Sequence, residues 1–136
     1  MKRLPYLREL NESNKNISVL ELAQAVLPIF QEKFPQDHTV SNAIQAVMDF
    51  RNDKITSYEM NQVRQKAFTY SIKPEYLQNM PTDSVEWLAY NCINGACYAS
   101  VTSANITGAV DDAKKLLGKE INDKNKKNIE QALANF

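Results

Sequence analysis

The sequence contains little glycine, proline or histidine, and each shortage excludes a class of structure or site. Only 3 glycines and 5 prolines occur in 136 residues, which argues against an all-β fold, because such folds use these residues in their many turns. The glycines stand at 95, 108 and 118 and form no phosphate-binding loop. His38 is the single histidine, so a zinc site of several histidines or a di-iron bundle site is not possible. We therefore expect no metal and no cofactor.

The chain also lacks net charge, since 16 basic residues balance 16 acidic ones. A neutral chain has no general attraction to nucleic acid or to an anionic membrane. Lysines cluster late, but acidic and amide residues are interspersed among them and no arginine follows Arg64. Because specific base recognition relies on arginine, we expect a solvated helix face there and no nucleic-acid partner.

Length and composition predict one soluble domain covering residues 1–136, with residues 1–16 as an irregular N-terminal segment. Hydrophobic residues make up 43% and charged residues 24%, which is ordinary for a globular protein. The first residues, MKRLPYLRELNESNKN, are followed by no apolar run, so we expect no signal peptide. Two cysteines without an export signal indicate reduced thiols and a cytoplasmic location.

One long stretch, from Trp87 to Val110, contains no charged residue. Asparagines at 91, 94 and 105 would be costly inside a bilayer, and no basic flank anchors the stretch, so we expect no membrane span. We expect instead two helices in the middle of the protein that bend near Asn105, uncharged because both faces contact protein. Gly95, Ala99 and Ser103, four residues apart, would form a ridge against which a neighbouring helix packs closely.

Apolar residues recur at steps of three and four in most of the chain, which indicates helices. The spacing predicts an all-α, multi-helix bundle of about six helices built from antiparallel helical hairpins. Ser18 with Glu21, and Thr56 with Glu59, have the spacing of a capping box. Pro28 lies inside an apolar helical pattern and predicts a kinked helix or two short ones. Thr39 or Ser41 is expected to cap a further helix, and the spacing from Asp83 to Glu86 offers another cap.

Cys92 and Cys97 allow two interpretations. One is a thiol nucleophile activated by His38. The other, which we favour, is a pair of small core residues, because free cysteine is among the most buried residue types. Five positions apart on a helix, the two side chains point in different directions and do not form a C-x-x-C redox pair.

Acidic residues could form a docking face for a basic partner. The sequence does not place them together, and acidic side chains are mostly exposed in any protein. The residues concerned are Asp49, Asp53, Glu59, Asp111 and Asp112.

The segment VLPIFQEKFPQDHTVSNAIQAVMDFRNDKITSYEMNQVRQKAF resembles the Imm-5-like immunity proteins of bacterial polymorphic-toxin systems. The matching residues are Leu27, Pro28, Phe30, Phe34, Pro35 and Asp37, then Ala43, Ile44, Ala46, Ile55 and Ala67. The later stretch NGACYASVTSANITGAVDDAKKLL resembles the small-residue helices of that family. Related sequences often carry histidines in those helices, where this chain has Cys97 and Asn105 nearby, so no role of those histidines transfers.

The resemblance implies a bacterial, cytoplasmic protein that binds and neutralises a cognate protein toxin without catalysis. Two alternatives remain: a small helical enzyme that uses a cysteine thiol, and a helical regulatory or interaction module. We expect a monomer or a weak homodimer. The candidate partner contacts are polar or tyrosine residues of the uncharged stretch, because tyrosine is enriched at interfaces. They are Tyr90, Asn91, Asn94, Tyr98 and Asn105.

Overall fold

The protein is helical throughout the part that the structure describes. The computed structural model describes residues 3–68, 80–102 and 106–136, with side chains from residue 17 onward. These residues form six helices and no strand. The helices are α1 (Arg3–Lys33), α2 (Thr39–Arg51), α3 (Ser57–Phe68), α4 (Val85–Thr102), α5 (Ile106–Leu117) and α6 (Asp123–Leu133). The predicted all-α bundle of about six helices is therefore confirmed.

The first helix is longer than the sequence predicted. Residues 3–16 belong to α1, so the expectation of an irregular N-terminal segment is wrong. This segment has no glycine and is rich in leucine, arginine and glutamate, which favour the helical backbone. Because the helix already runs through Ser18 and Glu21, these two residues are interior and cap no helix start.

Pro28 lies within the same helix, which continues as one element on both sides of it. Proline in a helix interior removes one backbone hydrogen bond. The neighbouring Val26, Ile29 and Phe30 are buried at 0–1% exposure. Their packing holds the backbone helical on both sides of the proline.

Helix starts follow the predicted capping chemistry in α3 and differ from it in two others. Thr56 Oγ1 accepts a hydrogen bond from the amide of Glu59, and the Glu59 carboxylate accepts one from the amide of Thr56, which confirms the capping box. α4 starts after Ser84, not Asp83, with Ser84 Oγ accepting from the amide of Trp87 at 3.1 Å.

At the start of α2, neither Thr39 nor Ser41 provides the cap. The Asp37 carboxylate instead accepts hydrogen bonds from the amide and the hydroxyl of Thr39 at 2.8 and 2.6 Å. The carboxylate of an aspartate before the helix thus satisfies the amide of Thr39, the first residue of α2, and a negative charge is favourable at a helix N-terminus.

The core lies mainly between α1 and α4, which run antiparallel. Phe30 stacks near Tyr90, with ring centroids 5.9 Å apart, and Lys33 pairs with Glu86 at 3.5 Å. α4 also contacts α2 and α5. The part of the uncharged stretch in α4 is therefore buried on more than one face, as predicted, and burying an unpaired charge there would be costly. Its buried residues are Leu88, Ala89, Tyr90, Cys92, Ile93, Ala96, Cys97, Ala99 and Ser100.

Candidate functional site

A polar hollow lies between α4 and α5, and we call it the α4–α5 groove. The two helices pair antiparallel, since Gly95 and Asn91 of α4 lie beside Ala109 and Asp112 of α5, respectively. The hollow has a volume of about 220 Å³. It is lined by Asn91, Asn94, Gly95, Gly108, Ala109 and Asp112.

Two glycines line this groove, and the space beside each of them differs. A Cβ atom on Gly95 would lie 3.7 Å from the Cβ of Ala109, in ordinary van der Waals contact. A Cβ atom on Gly108 would meet no atom within 4 Å. The helices therefore approach closely at Gly95, as the small-residue ridge predicted, whereas Gly108 is exposed and has open space beside it.

Asp112 is the charged residue of the groove. Its Oδ2 atom accepts a hydrogen bond from the side-chain amide of Asn91 at 2.8 Å. The residue is only 8% exposed. Burial raises the pKa of the Asp112 carboxyl, while the Asn91 bond and the charge of Lys115 lower it and the charges of Asp111 and Asp83 raise it further. The ionised carboxylate is thus held at a free-energy cost to the fold.

Asn94 connects the groove to a second hollow between α3 and α4. That hollow has a volume of about 170 Å³, and Arg64, Gln65 and Phe68 line it together with Asn94. The Arg64 guanidinium lies 5.3 Å from the ring centroid of Tyr98, a cation–π geometry. Tyr98 is 40% exposed. We call the surface formed by the groove, Arg64 and Tyr98 the polar face.

The structure brings three of the predicted contact residues together on this face, namely Asn91, Asn94 and Tyr98. Tyr90 is a correction: it is 1% exposed, and its hydroxyl donates a hydrogen bond to the Ala67 carbonyl at 2.9 Å. Buried tyrosine hydroxyls normally find such a partner, so Tyr90 is a core residue that offers no contact surface. Asn105 lies outside the described residues.

The sequence did not assign Arg64, Gly108 or Asp112 to this surface. Asp112 was considered only as part of a dispersed acidic set. The antiparallel pairing of α4 with α5 could have indicated the position of Asp112. If Gly95 pairs with Ala109, position 91 lies close to position 112. Arg64 comes from α3, and no local pattern in the sequence relates α3 to Tyr98.

The acidic residues do not form one docking face. Asp49 and Glu59 line a hollow of about 360 Å³ between α2 and α3, whereas Asp111 and Asp112 belong to α5. Asp49 also accepts a hydrogen bond from Gln45 at 2.9 Å. The sequence alone could not separate these two groups.

Both cysteines are buried, at 0% exposure. Burial, with smaller contributions from Asp112 and Cys97, raises the pKa of the Cys92 thiol far above its usual range. Burial raises the pKa of Cys97 to about 12, although the charge of Arg64 opposes the shift. Cys92 Sγ donates to the Ala109 carbonyl at 3.3 Å, and both thiols act as packing groups in this arrangement.

His38 lies exposed ahead of α2, and no described contact joins it to either thiol. Among the described residues, no three histidine, cysteine or acidic side chains are grouped as metal ligands. None of the described helices combines the length and apolar content that crossing a bilayer requires. No family model matches the chain, and neither curated proteins nor solved structures provide a significant match.

Proposed function

We propose that this protein is a cytoplasmic, bacterial immunity protein that neutralises a toxin by binding it, without chemistry of its own. The single observation that supports binding most directly is the polar face. It combines a concave groove, a buried carboxylate and an exposed tyrosine on neighbouring helices. The toxin as partner rests on the resemblance to Imm-5-like proteins.

Asn94 illustrates why this face suits a protein partner. It lines both hollows, and within the described part of the chain no residue hydrogen-bonds to its side-chain amide. An amide offers donors and an acceptor at once. Tyr98 beside it supplies a large, rigid contact surface, and tyrosine is frequent among residues that dominate binding energy.

The alternative of a thiol enzyme has no support in the surroundings of either cysteine. A reactive thiol needs access and a lowered pKa, and Cys92 and Cys97 have the opposite properties. The alternative of a general interaction module shares the polar face and differs from the proposal only in the identity of the partner.

Affinity capture from the native cell, followed by mass spectrometry, tests the proposal. The captured protein is then produced in a separate host, alone and together with this chain. We expect it to arrest growth when alone and to be harmless together with the wild-type chain. Asn94→Arg and Tyr98→Ala should each weaken protection, whereas Gln131→Arg, at an exposed position on α6, should not. A captured protein whose effect on growth is unchanged by this chain would contradict the proposal.

A further inference from the structure

The Asp112 carboxylate has no counter-ion among the described residues. Its Oδ2 atom is occupied by Asn91, and no group in the described part of the chain hydrogen-bonds to Oδ1. The one ion pair found there joins Lys33 to Glu86 on a different surface. Asp112 is more than nine-tenths buried and lines the groove. Among the described residues, every fully buried side-chain nitrogen or oxygen atom has a hydrogen-bond partner. The unpaired Oδ1 therefore reaches the open space of the groove.

The charges around Asp112 favour a cation. Asp111 and Asp83 are the acidic groups that act on its carboxyl, and Lys115 is the one base that does so. Lys115 is exposed on the same helix and makes no ion pair with it within 4 Å. The buried side of Asp112 faces Cys92, whose thiol stays neutral because burial raises its pKa. The charged residue that lines the groove is therefore an acid, and the lysine that acts on it lies exposed to solvent.

The neighbouring polar groups favour a planar donor. Asn91 already donates to Asp112, and Asn94, also on α4, lines the groove with a further amide. A guanidinium carries only donors, arranged in a rigid fork that matches a carboxylate. It is also less strongly hydrated than an ammonium group, so it enters a partly buried hollow more readily. The space beside Gly108 allows it to approach.

We propose that the α4–α5 groove binds an arginine side chain of the partner protein, with the Asp112 carboxylate as its counter-ion and the Asn94 amide as a second contact. This inference rests on the proposed function and specifies its chemistry. The free-energy cost of burying the Asp112 carboxylate is then offset in the complex. The attraction between the carboxylate and the guanidinium becomes stronger when water is removed from around them.

The test uses the full chain and the probe N-acetyl-arginine amide, followed by ¹H–¹⁵N NMR. We expect saturable shifts at the side-chain amides of Asn91 and Asn94. N-acetyl-citrulline amide has the same shape without the charge and should produce none of them. N-acetyl-lysine amide should bind more weakly than the arginine probe.

Two variants locate the site. Asp112→Asn keeps an oxygen acceptor for Asn91 and should weaken probe binding about tenfold, the effect of losing one charge-assisted contact. Asp111→Asn, the exposed neighbour, should change it less than about twofold, because exposed charges interact weakly. Gly108→Leu should block binding by filling the groove, at a position where a side chain meets no atom within 4 Å.

The inference is overturned if the citrulline probe binds as well as the arginine probe, if neither produces shifts, or if Asp112→Asn binds like the wild type. These results leave the proposed function intact, provided that Asn94→Arg and Tyr98→Ala still weaken protection. If the arginine probe binds but no toxin is captured, the arginine site is supported and the proposed function is contradicted.

Discussion

Asp112 is the residue at which the fold and the proposed binding role compete. Burial raises the pKa of its carboxyl above the usual range, so the native state binds a proton more tightly than the unfolded chain does. The contribution of this carboxyl to the free energy of unfolding is therefore greatest below the usual aspartate pKa of about 3.9. It declines as the pH rises through the raised pKa of the folded state.

Asp112→Asn removes this dependence, because an amide does not ionise while its oxygen still accepts from Asn91. We expect the variant to be more stable than the wild type at neutral pH, with the difference shrinking as pH falls toward 4. Urea unfolding of both proteins at each pH measures it, and Asp111→Asn, at an exposed position, serves as the control. A variant less stable than the wild type at neutral pH would mean that hydrogen bonding to the ionised form outweighs its burial.

The two cysteines are predicted to be core residues without a chemical role. Cys92→Ala and Cys97→Ala should each lower the free energy of unfolding by about 1–2 kcal/mol, because each removes a fully buried sulfur. Partner binding should be retained in both variants. Thiol titration of the folded wild type should be slow at neutral pH, since a buried thiol with a raised pKa contains little thiolate. A rapid reaction of either thiol in the folded protein would support the alternative of a thiol enzyme.

At the scale of the helix pair, Gly95 and Gly108 form a matched test of how closely α4 and α5 pack. Leucine adds similar helix propensity at both positions, so the difference between the two variants isolates the space available. Gly95→Leu should be less stable than Gly108→Leu by about 1–3 kcal/mol, the usual cost of overpacking a close contact. Thermal unfolding of the two variants measures this difference. Equal stability would show that α5 does not restrict the side chain at position 95.

The α3 capping box gives a second prediction at this scale. Thr56→Ala removes the hydroxyl that accepts from the Glu59 amide and should lower stability by about 1 kcal/mol. Ser18→Ala, at the same spacing from Glu21, caps nothing because it lies inside α1. Its effect on urea unfolding should therefore be smaller. A larger effect at Ser18 would place a helix start there.

Ser18 and Thr56 also show which parts of the fold the sequence could predict. Apolar spacing located the helices other than residues 3–16 of α1, because burial of a helix face imposes that period on the chain. The same S/T-x-x-E pattern occurs at a helix start and inside a helix, so the pattern alone could not fix the beginning of α1. The polar face depended on pairing across helices, as between Asn91 and Asp112. Tyr90 was wrongly assigned to the contact surface. Its hydroxyl is buried because it donates to a carbonyl of α3, and no local pattern in the sequence shows that contact.

At the scale of the whole molecule, α2 packs on α1 and α4, and specific polar and ring contacts also link α2 and α3 to α4. Arg51 at the end of α2 donates to the Ser100 carbonyl of α4 at 2.8 Å. Tyr90 of α4 donates to the Ala67 carbonyl of α3 at 2.9 Å and contacts Phe68, with ring centroids 5.5 Å apart. The Tyr90 contacts join α3, which packs mainly on α2, to the α1–α4 core.

Tyr90→Phe should therefore loosen α3 more than the core. The change keeps the ring between Phe30 and Phe68 and removes only the hydroxyl, so the buried Ala67 carbonyl loses that donor at a cost of about 1–3 kcal/mol. Amide hydrogen exchange should become faster across α3 while α1 and α4 keep most of their protection. Tyr98→Phe is the matched control, because its hydroxyl donates to no described residue. If α3 and α4 lose protection equally in Tyr90→Phe, the bundle opens as one cooperative unit, and the hydroxyl stabilises the whole molecule rather than the attachment of α3.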